Sequence, residues 1–269
     1  MSVPQLLIFG CGKMGGAMLK GALAGGWPAS SIAVVEPSPS AELLSLQAKA
    51  GFTLNPPEPT RAGLMLISIK PQMLDVAAEG LARCLDGKSV VVSIMAGKSI
   101  ADMRKRLPQV TRFVRAMPNT PAAIGRGITG AYATDALSEA DRANVTRLLQ
   151  TTGRLEWVKN EGLIDAVTAV SGSGPAYVFH MVEALAKAGE QLGLEPAIAA
   201  RLARATIEGA GELLFREAET SPAELRQNVT SPGGTTAAAL AILMGDDGLA
   251  PLMTRAVAAA EARAKALAG

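Results

Sequence analysis

The chain has 269 residues, room for one large or two ordinary domains, and 49% of them are hydrophobic against 19% charged, the balance of a packed globule. A net charge of +2 with mixed signs and no run of Lys or Arg removes nucleic acid as an expected partner. Two cysteines, Cys11 and Cys84, make no disulfide framework, and no Cys or His cluster has metal-ligand spacing, so neither crosslinks nor a metal is expected.

The apolar opening lacks the basic start of a secretory signal and is interrupted by Lys13 and Lys20. Later apolar stretches are cut by Glu183 and Lys187, or by Asp246 and Asp247, too soon for a membrane span. A cytoplasmic protein with no membrane partner is expected. Six short apolar runs follow one another: QLLIFG (5–10), SIAVVE (31–36), GFTL (51–54), LMLISI (64–69), SVVVSI (89–94) and TRFVRA (111–116). Near-continuous apolar strands of this kind suit a parallel sheet covered on both faces. Helix signals lie between several of them: Ser38-Pro39 before ELLSLQAKA with Gly51 after it, and Ser99 with Asp102 in SIADMRKRL. ITGAYA (128–133) and LEWV (155–158) extend the sheet, with a helix from about Ser138 between them.

After about residue 160 the strands stop. Tyr177, Met181, Leu185, Ala188 and Leu192 share one face of a helix that begins after Pro175 and ends near Gly193, and RLARATIEGAGELLF and PLMTRAVAAAEARAKALA are similar. The fold class is therefore α/β: a Rossmann-type doubly wound sheet over 1–160, then an all-α domain over 161–269. The alanine-rich helices are apolar on several sides, which favours close packing in a dimer; a compact monomeric bundle stays open.

GCGKMG, Gly10 to Gly15, follows the first strand and opens a helix. Gly10 suits the tight turn, Gly12 a close backbone approach to a pyrophosphate, and Gly15 helix-to-strand packing. Glu36 closes the second strand, where an acid bonds the ribose hydroxyls of NAD and repels the extra phosphate of NADP; Ser38 and Ser40 could still donate to a phosphate, so both cofactors stay open. Lys70 and Pro71 follow the strand LMLISI and Ala96 and Gly97 the strand SVVVSI, at the edge where ligands of open sheets bind.

Missing residues also inform. A dehydrogenase of alcohols needs a base, yet the one histidine, His180, falls in mid-helix, is read as having no acidic partner at helical spacing, and is assigned a structural role. Reduction of a protonated C=N bond needs less: a placed carbon, a held anionic end and a hydride. SPGGTT (231–236) suits that task. Ser231 reads as an N-cap and Pro232 as the first helical residue, which leaves the amides of Gly233, Gly234, Thr235 and Thr236 free for a carboxylate and a threonine hydroxyl for the ring nitrogen.

GCGKMG, ISIKP, VVSIMAG, RAMPNTPA, LIDAVTAVSGSGPAYVF and NVTSPGGTTAAAL, in that order and spacing, resemble pyrroline-5-carboxylate reductase over nearly the whole chain. The resemblance implies an N-terminal Rossmann domain, a helical domain that interlocks two subunits, often a ring of dimers, and reduction of 1-pyrroline-5-carboxylate to L-proline by NADPH or NADH. By similarity Gly10, Cys11, Gly12, Lys13, Met14, Ser38, Ile69, Lys70, Ala96, Gly97 and Asn119 border the cofactor. Glu161, Ser173, Asn228, Ser231, Gly234, Thr235 and Thr236 border the substrate, with Thr236 the hydrogen-bond or proton donor to the ring nitrogen. Glu36 and Pro56-Pro57-Glu58 depart from the neutral polar groups usual at the adenosine end, which leaves the cofactor preference open. Two other functions are weighed: a 3-hydroxyacid dehydrogenase, which wants a lysine that the stretch from Ser171 to Glu183 lacks, and a non-catalytic sensor of the dinucleotide.

Overall fold

The computed structural model describes residues 5–267. Eight strands form a single sheet in the order β3-β2-β1-β4-β5-β6-β7-β8: β1 Leu6–Phe9, β2 Ile32–Val35, β3 Thr53–Leu54, β4 Leu64–Ile67, β5 Val90–Ser93, β6 Arg112–Met117, β7 Gly127–Ala133 and β8 Gly153–Trp157. Neighbours are parallel except β6 and β7, so β1, β2, β4, β5 and β6 all present their carboxyl ends at one edge. The chain steps outward from β1 in both directions, with β2 paired to one side (Leu6 beside Ile32) and β4 to the other (Leu6 beside Leu64). That reversal beyond β1 opens the crevice in which such sheets take ligands.

The central strands β1, β2, β4, β5 and β6 are buried on both faces, hence their nearly continuous apolar sequence, whereas the edge strands β3 and β8 are not. Leu6 and Ile8 join Met18, Leu19, Val145 and Leu148 in one core, and Leu7, between them, joins Leu74, Leu81, Met103 and Phe113 in the other. The first core is covered by α1 (Lys13–Ala24), α2 (Ala41–Ala50) and α5 (Glu139–Gln150), the second by α3 (Leu74–Arg83) and α4 (Ile100–Arg106). Ser99 pairs with Asp102 at the start of α4 as the sequence suggests, and Ser138 makes the same kind of capping box with Asp141 at the start of α5. The cap of α2 differs. Pro39 keeps the chain extended past Ser38, and it is the Ser40 hydroxyl that accepts the Leu43 amide, at 3.2 Å.

Helices alone follow: α6 (Leu163–Val167), a π-helical turn over Thr168–Gly172, α7 (Gly174–Gln191), α8 (Pro196–Arg216), α9 (Pro222–Asn228), α10 (Thr235–Leu243) and α11 (Leu249–Leu267). No helix among the described residues is long and apolar enough to cross a membrane. Two compact units emerge, one ending at Gly172 and rejoined at Ala260, the other Ser173–Ala259. In this division α6 and the turn after it go with the sheet: Ile164 and Ala169 are buried, and Asp165 pairs with Arg115 of β6. In the second unit α7 and α8 pack on each other, and Gly189 admits Leu194 and Ala199 so closely that a β-carbon there would lie 3.2–3.3 Å from their side chains.

Candidate functional site

The glycine loop is built by three different constraints. Gly10 has φ +89° and its amide donates to Val35 O at 2.8 Å, which ties the end of β1 to β2. A β-carbon on Gly15 would sit 2.5 Å from Gly10 O and from Ser68 Oγ, so this glycine lets α1 approach the strand ends; the Ser68 hydroxyl itself donates to Gly10 O. Gly12 is the N-cap of α1, exposed, with nothing within 4 Å of where a β-carbon would be. The glycine is thus spared steric pressure from the protein and leaves its face open to a ligand at the positive end of a helix.

Beside the loop lies a cavity of about 400 Å³ whose lining includes Cys11, Gly12, Lys13, Glu36, Ser38 and Ser40. Glu36 dominates it. One oxygen of its carboxylate accepts the Cys11 amide at 2.8 Å and the other the Ser38 amide at 3.1 Å, while Asn55, at φ +48°, clamps the Glu36 backbone by two hydrogen bonds of 2.8 and 2.9 Å. An acid so fixed at the end of β2 has the position and the acceptors for a ribose diol. Lys20, farther along the lining, is paired with Glu42 at 2.5 Å. Burial, then the nearby Glu36 carboxylate, pushes the Cys11 thiol up to about 11, so Cys11 contributes backbone and bulk here, not a thiolate.

Other residues assigned to the cofactor lie along the carboxyl edge. Ile69 backs Gly10, with Cγ2 2.8 Å from the position of a β-carbon there. Lys70 is exposed after β4, and Ala96 is exposed and Gly97, at φ +69°, half-buried after β5, with Leu267 O against the Gly97 face. Asn119 follows β6; its side-chain oxygen accepts the Ile128 amide at 2.9 Å, so it braces its own loop. Met14 is half-buried in the first turn of α1.

Glu161 stands apart from those loops yet is tied to one of them. Its Oε1 accepts the amide of Ile100, the first residue of α4, at 2.7 Å, and lies 3.5 Å from Arg115. Arg115 is 4% exposed, and its other arm donates to Asp165 at 2.9 Å. A charge at position 115, in the buried middle of β6, was the available signal for this network, since a guanidinium enters a core only with partners.

In the second unit Ser173 heads α7 as N-cap without a side-chain capping bond, so α7 starts at Gly174 instead of after Pro175. Asn228 ends α9, exposed. The SPGGTT stretch departs from the expected cap. Gly233, at φ +72°, breaks the chain direction after Pro232, Gly234 is the N-cap with no side-chain bond, and α10 begins at Thr235. The Gly234 amide is used, donating to Ser231 O at 3.0 Å, and the first helical bond runs from Ala238 to Gly234 O at 3.2 Å. The amides of Thr235, Thr236 and Ala237 precede that bond and are the open ones. Ser231 is exposed in the turn before, and Thr236 is half-buried. His180 is also corrected: it is 81% exposed at its side chain and lies 3.1 Å from Glu183, an acidic neighbour three residues on that the sequence reading passed over.

A family model described as pyrroline-5-carboxylate reductase dimerisation matches residues 161–267, and one described as NADP oxidoreductase, coenzyme F420-dependent, matches residues 5–97. The chain is 38% identical to the pyrroline-5-carboxylate reductase of Pseudomonas aeruginosa, with 100% of this chain and 98% of the relative covered. It is similar to the solved pyrroline-5-carboxylate reductase of Coxiella burnetii, with a TM-score of 0.91, 33% identity and 100% of both chains covered. A Plasmodium falciparum pyrroline carboxylate reductase solved with NADP bound shares the fold, at a TM-score of 0.80, 24% identity and 100% of both chains.

Proposed function

The chain belongs to the pyrroline-5-carboxylate reductase family, and we infer from that membership which of its residues hold the substrate and the cofactor. The reaction is the NAD(P)H-dependent reduction of the C=N bond of 1-pyrroline-5-carboxylate to L-proline. When bound, the reduced nicotinamide supplies a hydride to the imine carbon, and a proton on the ring nitrogen completes the amine. Gly12 and the first turn of α1 take the pyrophosphate, with the open face of Gly12 as the fit. Glu36 takes the adenosine ribose, and its fixed negative charge favours NADH over NADPH.

In the second unit the amides of Thr235, Thr236 and Ala237 bind the substrate carboxylate, and the Thr236 hydroxyl donates to the ring nitrogen as charge leaves it. Asn228, Ser231, Gly234 and Ser173 complete the surroundings. This open helix start behind two glycines is the observation that carries the substrate assignment. Competition tests it: cyclopentanecarboxylate should compete with pyrroline-5-carboxylate at least tenfold better, about 1.4 kcal/mol, than cyclopentanecarboxamide. Equal inhibition by acid and amide refutes an anion site.

The helical unit works as a homodimer. Phe179 (63% exposed), Leu192 (87%) and Ile242 (77%) leave more apolar surface on α7 to α11 than water favours. A cytoplasmic setting accords with two free, buried cysteines.

A further inference from the structure

We propose that Arg115, anchored by Asp165, is a positioning residue that fixes the Glu161 carboxylate so that its Oε2 meets the N–H of the substrate's protonated C=N group. The inference rests on the reading that Glu161 borders the substrate. Arg115 is nearly enclosed, at 4% exposure, and Asp165 beside it is at 8%, so their contact at 2.9 Å is shielded from solvent. A pair of that kind holds its geometry because breaking it strands a buried charge. The guanidinium then presents its second arm to Glu161 Oε1 at 3.5 Å, and the Ile100 amide takes the same oxygen at 2.7 Å.

A hydrogen bond from the Ile100 amide and an ion-pair contact from Arg115 meet on one oxygen and restrain the carboxylate. Oε2 carries no hydrogen bond among the described residues, and the Glu161 side chain remains 27% exposed. One guanidinium against two carboxylates leaves the cluster one negative charge in excess. Lys265, which also feels Asp165, is occupied by Glu261 at 2.8 Å. An uncompensated, oriented carboxylate oxygen in a half-buried place selects a cation bearing N–H and repels an anion. The substrate has both groups, so the cluster takes its nitrogen end and rejects its carboxylate. Without Arg115, Glu161 keeps its charge but loses one of its two anchors.

A plain structural tie between α6 and the sheet is the competing account, and it predicts something different. Because Ile100 opens the helix directly after the Ala96–Gly97 loop, a loosened structure would disturb dinucleotide binding too. Steady-state kinetics on Arg115→Lys, Glu161→Gln and the double variant separate the two, with thermal melts to show that each is folded. The expected result is a fall of about tenfold in kcat/KM for pyrroline-5-carboxylate in each single variant. KM for the dinucleotide should stay within about twofold, and Arg115→Lys should cost less than about twofold more in the Glu161→Gln background. Asp165→Asn, which keeps the shape of the anchor, should move the same constant in the same direction.

Multiplying losses in the double variant, or an equal rise in the dinucleotide KM, overturns the positioning role. A Glu161→Gln variant with unchanged kcat/KM overturns it from the other side, by removing the substrate contact through which Arg115 would act. Turnover by the unaltered protein is read in the same experiment, so failure of the family reaction is distinguishable from both.

Discussion

Gly12 and Gly15 lie three residues apart in one loop, and the structure predicts opposite defects when each becomes alanine. At Gly12 the backbone, φ −70° and ψ −158°, is ordinary for any residue, and an added methyl meets no atom within 4 Å. Alanine is a poorer N-cap than glycine by several tenths of a kcal/mol or more, but it gains about 0.4–1 kcal/mol by restricting the unfolded chain, so stability should change by less than about 1 kcal/mol. The same methyl occupies the approach of the pyrophosphate. Loss of one charge-assisted hydrogen bond, about 1.5–3 kcal/mol, should weaken dinucleotide binding by roughly tenfold to a hundredfold. At Gly15 the methyl would stand 2.5 Å from two oxygens, Gly10 O and Ser68 Oγ, which must move apart. Overpacking of that kind costs about 1–3 kcal/mol, or roughly 2–10 °C in the melt of a domain this size. Thermal melts and a titration of nicotinamide fluorescence on both variants measure the two effects. Should Gly12→Ala bind NADH and NADPH within about twofold of the unaltered protein, the phosphate approach at Gly12 is wrong.

Three other outcomes follow from the site. Glu36→Ser should raise the NADPH-to-NADH ratio of kcat/KM by about tenfold or more, since it removes a like charge from the place of the 2′-phosphate; an unchanged ratio means Glu36 does not meet the ribose. Thr236→Val should lower turnover more than Thr236→Ser, and a Val variant within about threefold of the original, under ~1 kcal/mol of barrier, leaves the hydroxyl without a role. The Cys11 thiol, pushed up to about 11 by burial and by Glu36, should stay unmodified by iodoacetamide in the folded protein at pH 8. The same shift has a sign for stability: the folded chain holds this proton where the unfolded one releases it near 9, so the contribution is present below pH 9 and fades as pH rises towards 11. Rapid labelling of Cys11 at pH 8 contradicts both statements.

Much of this was legible without coordinates. All eight strands fall on the stretches read from apolar runs, seven of them to within one residue and β8 starting two residues early, and two-sided burial imposes the pattern on every residue of LLIF, LMLI or VVVS. Gly51 stops α2 at φ +79°, and Ser99 caps α4 with the Asp102 partner its spacing suggests. Errors gathered where several local solutions compete. Ser38 and Ser40 flank one proline, and only backbone direction decides which hydroxyl reaches the helix. In SPGGTT, Ser-Pro reads as a helix start, yet the left-handed turn at Gly233 postpones it to Thr235. Long-range charge pairs were the least visible, since no local spacing joins Arg115 to Asp165, fifty positions on, or Glu161 to Ile100. The His180–Glu183 contact, by contrast, was there to be read at helical spacing.

The measurement that bears most directly on the account is oxidation of NADH and NADPH by the purified, folded protein with 1-pyrroline-5-carboxylate, followed at the nicotinamide band together with the amount of proline formed. One L-proline for each dinucleotide oxidised is the predicted result. Binding of the dinucleotide without turnover would leave a sensor instead of a reductase and contradict the assignment at its root.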